Sequence, residues 1–100
     1  MATATSTLEQ PLRLVVFHSR HSGHCRRVEG FLAQVLQRRR NHATFKVVEV
    51  AEEERPDLLE RFRVERVPTL VVVEGKTVAG RLESPRGCRE IEGFLSRWLH

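Results

Sequence analysis

Ser22-Gly23-His24-Cys25 gathers a hydroxyl, an imidazole and a thiol within four residues, following a loop that already holds His18 and His21. A cysteine three residues after a serine that can cap a helix would sit in the helix's first turn. Unpaired backbone N–H groups and the helix dipole favour an anion there. A single thiolate in that position can form a mixed disulfide, accept glutathione, or be oxidised to a sulfenic acid and recycled by an external thiol. His21, His24 and Arg26 would add positive charge around it. The alternative is structural: Cys25 shares a helical face with Val28 and Leu32, and free cysteine is among the most often buried residue types. His18, His21, His24 and Cys25 also make four ligands of the kind zinc or copper accepts. They would span a strand end, a loop and a helix start, so they are expected to be solvated, with no metal and no other cofactor.

The elements that position these residues follow from the apolar pattern. Leu12 to Phe17 is short and almost continuously apolar, as in a central strand covered on both faces. Cys25, Val28, Phe31, Leu32, Val35 and Leu36 recur at helical spacing, with Ser22 as cap. Arg38, Arg39 and Arg40 suit the negative end of that helix, and Asn41 can break it. Phe45 to Val50 reads as a second strand, which makes a parallel βαβ unit. Pro56 opens a short helix through Leu58, Leu59 and Phe62. Thr69 to Val73 and Lys76 to Leu82 form a hairpin across Glu74-Gly75. Ile91, Phe94, Leu95 and Trp98 mark a last helix, with Ser84 as expected cap and Pro85 at its first position.

The resulting order is β-α-β-α-β-β-α, an α/β domain with a mixed four-stranded sheet flanked by helices. One hundred residues with 40% hydrophobic content fill one core and not two. Residues 1–10 are expected to be a flexible extension and residues 11–100 the domain.

This order resembles the thioredoxin family over roughly residues 12–99, with a loop cysteine at the start of the first helix and Val67-Pro68-Thr69 ahead of the third strand. The family's Phe-x-x-x-Trp-Cys-x-x-Cys aligns without a gap on Phe17, His21, Ser22 and Cys25. The resemblance implies that the Val67–Pro68 bond is cis and that the Val67 backbone pairs with an extended partner chain beside the thiol loop, where His21, Gly23 and Arg26 would also touch it. Three departures change the chemistry. Ser22 replaces the nucleophilic first cysteine, His21 the tryptophan, and Val16 the buried acid of the first strand. Dithiol exchange within the motif is thereby excluded. Gly23-His24-Cys25 is similar to the end of the protein disulfide isomerase loop. Ser22-x-x-Cys25 is also similar to the Thr/Ser-x-x-Cys of peroxiredoxins, but that family's preceding proline and larger domain are missing. The family's iron–sulfur-binding monothiol members keep the first cysteine, so that role is not expected.

The expected function is that of a thiol-disulfide oxidoreductase-like domain acting through Cys25, with Ser22 and His24 beside it and a protein or small thiol or disulfide as partner. The alternative is a redox-inactive interaction module of the same fold. Composition limits other partners. The net charge of +4 comes from 17 basic residues against 13 acidic ones. Arg20, Arg26 and Arg27 cluster near the loop without tyrosine and with few free aromatics, which speaks against nucleic acid. No apolar stretch approaches the ~20 residues needed to cross a bilayer. The first ten residues lack the apolar core of a secretory signal, and two distant cysteines do not make a disulfide framework. A cytoplasmic monomer with reduced thiols is the expectation.

Overall fold

The computed structural model describes residues 12–38 and 44–99. The elements are β1 (Leu12–His18), α1 (Gly23–Gln37), β2 (Lys46–Ala51), α2 (Pro56–Arg61), β3 (Thr69–Glu74), β4 (Thr77–Glu83) and α3 (Cys88–Leu95). They form one four-stranded sheet in the order β2-β1-β3-β4. β1 runs parallel to β2 and antiparallel to β3, and β4 closes the hairpin against β3.

The two central strands, β1 and β3, explain the apolar runs. Their side chains alternate between faces, and both faces are covered. Leu14 and Val16 of β1 join Leu70 and Val72 of β3 under α1 and α3, which contribute Val28, Leu32, Val35, Leu36, Ile91 and Leu95. Val15, Phe17, Val71 and Val73 point the other way, against Val64 and the flanking Leu58, Leu59 and Phe62 from α2 and its exit. Each fully buried aliphatic side chain contributes about 1.5–3 kcal/mol. The buried stripe Val28, Leu32, Val35 and Leu36 therefore outweighs the ~1 kcal/mol of a helix cap in holding α1.

Val16, where the family often places an acid, is 1% exposed and joins the apolar core under α1 and α3. Gly80 of β4 admits a close approach by α3: a Cβ there would lie 3.3 Å from the Phe94 ring. Phe94 and Trp98 meet edge to face in that space, and Trp98 Nε1 donates to Glu74.

Most element boundaries differ from the sequence pattern by one residue, as in β4, which runs from Thr77 to Glu83, and three differences bear on the packing. Phe45 is buried in the core but precedes β2, which starts at Lys46. α1 stops at Gln37, and Arg38 follows it in an extended conformation, paired with Glu92 at 3.6 Å. Arg39, Arg40 and Asn41 lie outside the described residues. The largest difference is at the last helix. Ser84 does not cap it and Pro85 is not its first residue; α3 begins at Cys88, after Gly87. The Ser84 N–H donates instead to the Pro68 carbonyl at 2.8 Å, and Ser84 adopts a φ of 46°. That long-range bond prolongs the sheet edge past β4 and delays the helix by three residues. The side chain of Glu90 then accepts the Arg86 N–H at 2.8 Å, tying the residue before the cap to the first turn of the helix.

Candidate functional site

β1 ends at His18, and the loop that follows returns to the head of α1. Ser22 is the N-cap, and its side chain accepts the Cys25 N–H at 3.2 Å. Cys25 is 1% exposed. Its Sγ accepts a hydrogen bond from the Ser19 N–H at 3.3 Å, so the sulfur faces back into the loop. Both cysteines are free thiols.

Sequence reasoning missed Ser19. Besides meeting the sulfur, it accepts the Ser22 N–H through its carbonyl and the His21 N–H through its hydroxyl. Its hydroxyl also donates to Glu53, which accepts the Arg20 N–H at 3.3 Å as well. Arg20 pairs with Glu54. The acidic run after β2 therefore fastens the thiol loop from outside, and the Glu52 N–H closes the corner on the His18 carbonyl at 2.8 Å. The Ser19 hydroxyl is the first cause that holds the Glu53 carboxyl below its ordinary range, followed by backbone N–H groups including that of Arg20, with the charge of nearby His21 last. The only available signal was charge: a basic loop, Arg20-His21, and an acidic run, Glu52 to Glu54, 31 to 34 residues further on.

His24 leaves the thiol. Its Nε2 donates to the Pro85 carbonyl at 2.9 Å, tying the start of α1 to the segment between β4 and α3. That segment in turn holds the next loop, through Ser84 to Pro68. The Val67–Pro68 bond is cis. Because Phe17 pairs with Thr69 across the sheet, Pro68 comes level with the end of β1 and the beginning of the thiol loop. Pro68 is buried and Val67 half-buried. Neither the N–H nor the carbonyl of Val67 is bonded to another described residue.

Three segments thus converge on one end of the sheet: the loop 18–25, the turn at Val67–Pro68 and the stretch Ser84–Pro85. His21, Gly23 and Arg26 are exposed around this rim, while Ser22 and His24 are half-buried. Cys88 belongs elsewhere. Its Sγ donates toward Gln34 Oε1 at 3.2 Å and lies 3.7 Å from the Phe31 carbonyl, on the far side of α1 from the loop. The three loop histidines do not converge with Cys25 either. His21 points to solvent, His24 is held by Pro85, and His18 turns toward Glu29 and Glu49.

The comparisons with known proteins agree with this architecture. The thioredoxin family's sequence profile matches residues 3–97. Desulfothioredoxin from Desulfovibrio vulgaris Hildenborough, in its reduced form, is 26% identical with a TM-score of 0.74, over 87% of this chain and 81% of that one. Trxlp from Edwardsiella tarda EIB202 is 18% identical with a TM-score of 0.76, over 95% and 93%. The germline-specific thioredoxin Deadhead from Drosophila melanogaster is 14% identical with a TM-score of 0.78, over 98% and 90%. No curated protein sequence matches the chain. Among the described residues, no helix is long and apolar enough to cross a membrane.

Proposed function

The chain belongs to the thioredoxin family, and from that premise we propose that it is a redox protein of that family working with one thiol, Cys25, on a partner chain that docks beside Val67–Pro68. The observation that carries this reading is the pairing of a thiol at the head of α1 with an unbonded Val67 backbone on the neighbouring loop. An extended peptide laid along Val67 gains main-chain hydrogen bonds there, as in strand addition at a sheet edge. His21, Gly23 and Arg26 line the approach.

The chemistry is a single exchange. The Cys25 thiolate attacks one sulfur of a partner disulfide, the Cys25–S–S–partner bond forms, and the other sulfur leaves as a thiolate. Ser22 offers no second sulfur to displace the partner. A small external thiol must therefore attack the mixed disulfide to return Cys25 to the reduced form, leaving the disulfide between that thiol and the partner. His24, bound to Pro85, holds the rim in place. Two free thiols suit a reducing compartment, so the reading places the protein in the cytoplasm, acting as a monomer.

One observation favours a second reading. Cys25 is 1% exposed, and the Ser19 N–H lies against its sulfur. A protein that kept this loop closed would be a partner-binding module without redox turnover. Incubation with glutathione disulfide or a disulfide-bonded peptide, followed by intact mass, separates the two. An adduct that persists in Cys88→Ser and disappears in Cys25→Ser supports the single-thiol reading. No adduct, or one carried only by Cys88, leaves the binding module.

A further inference from the structure

Among the described residues, one group of side chains is arranged to hold a metal ion, and it is not the histidine series of the loop. His18, Glu29 and Glu49 each offer a ligand atom within 4.8 Å of the others. They come from three elements: His18 ends β1, Glu29 lies in the second turn of α1, and Glu49 stands on β2 in register with Val16. His18 follows Leu14 and Val16 on the sheet face that α1 covers, which is why its side chain is only 11% exposed.

The ring is flanked on both sides. Nδ1 lies 3.9 Å from Glu29 Oε2 and Nε2 lies 3.6 Å from Glu49 Oε1. Neither separation is a hydrogen bond, and neither ring nitrogen makes one to any other described residue. Neither nitrogen is sealed off from solvent, so both stay open to a ligand. Two ~2.1 Å bonds from a tetrahedral zinc ion to an imidazole nitrogen and a carboxylate oxygen would set those atoms about 3.4 Å apart, close to the Glu49 separation. The charge fits as well, because two carboxylates facing one imidazole leave two negative charges for a dication to neutralise.

We propose that His18, Glu29 and Glu49 form a binding site for a borderline divalent cation of the zinc class, separate from the thiol. One imidazole nitrogen and one oxygen from each glutamate supply three ligands. Both carboxylates border a groove of about 200 Å³ lined by Val16, Leu32, Ala33, Leu36 and Val47, which opens their side of the cluster to solvent.

The test is a titration of the full chain with zinc against a chromophoric chelator, together with the absorption spectrum of the cobalt(II) form. Glu29→Gln and Glu49→Gln are the informative variants. Their side chains are 38% and 56% exposed, so the fold tolerates them where a change at buried His18 would not serve. The expected result is one zinc per chain and a cobalt spectrum of nitrogen and oxygen ligation without a thiolate charge-transfer band. Affinity should fall about tenfold or more in each variant, since even outer partners of metal ligands cost that much. Glu92→Gln, which removes a carboxylate elsewhere, should leave it unchanged. Absence of binding, a thiolate band, or equal affinity in Glu49→Gln overturns the proposal.

Discussion

α1 and α3 each carry a cysteine in the first turn, yet the two helix starts are built differently. At α1, Ser22 caps the helix with its side chain, and the Cys25 sulfur accepts a backbone N–H from a loop that is itself fastened to Glu53. At α3, Gly87 precedes the helix with no side-chain cap, and the Cys88 sulfur is a donor to Gln34 at the edge of the core. Position at a helix start is common to both. What distinguishes Cys25 is the closed circuit of partners around it and the Val67 backbone left unbonded alongside, so a site is recognised by its surroundings and not by helix geometry alone.

The largest expected change comes from completing the α1 start. Ser22→Cys should form a disulfide with Cys25, seen as the loss of two hydrogens in the intact mass under mild oxidant. It should also reduce insulin disulfides faster than the parent chain, whose single thiol depends on dithiothreitol to resolve each mixed disulfide. Two free thiols after oxidation would mean that position 22 does not reach the sulfur. Next is the cap itself. Ser22→Ala removes the acceptor for the Cys25 N–H and should cost about 1 kcal/mol, a fall in Tm of about 4–8 °C for a domain of this size.

A smaller effect, visible through pH, tests the fastening of the loop. The Glu53 carboxyl is held below its ordinary range, so its folded state binds fewer protons than its unfolded state. Its contribution is therefore complete above the unfolded value and is lost as pH falls through the folded one. Glu53→Gln should melt below the parent at neutral pH, with the gap closing under acid; a gap that is constant down to about pH 2 would remove Glu53 from the account. The effect is modest because the side chain is exposed. Smallest is the α3 start. Gly87 has an extended backbone with nothing within 4 Å of a Cβ, so Gly87→Ser should add a few tenths of a kcal/mol, read from chemical denaturation.

How far the sequence could be read depended on the range of the interactions. The strands, the order of elements and the cap of α1 were legible because they rest on runs such as Leu12 to Phe17 and on neighbours three residues apart. Ser84-Pro85 looked like a helix start on the same local logic, and it failed because the Ser84 N–H has a partner at Pro68. The Ser19–Glu53 fastening joins residues 34 positions apart, beyond any local pattern. His18 is the intermediate case. Strand parity already assigns it to the side of Val16, toward α1, but which carboxylates wait there depends on the register of β2. The bond from His24 to Pro85 joins residues 61 positions apart, and only the folded chain brings them together.

The strand order has a consequence for life in a crowded solution. β2 and β4 are the two rims of the sheet, and each shows one large apolar side chain to water, Val47 at 40% and Val78 at 45% exposure. An open rim of this kind invites copies of the chain to pair with one another and aggregate. Lys46 and Glu49 interrupt the β2 rim, Arg81 and Glu83 interrupt β4, and the register shift at Val72/Val73 bends the hairpin away from a flat edge. The chain thereby keeps its own rims poorly suited to self-assembly, and its aggregation-prone variants should be those that neutralise Lys46 or Arg81 beside the exposed valines.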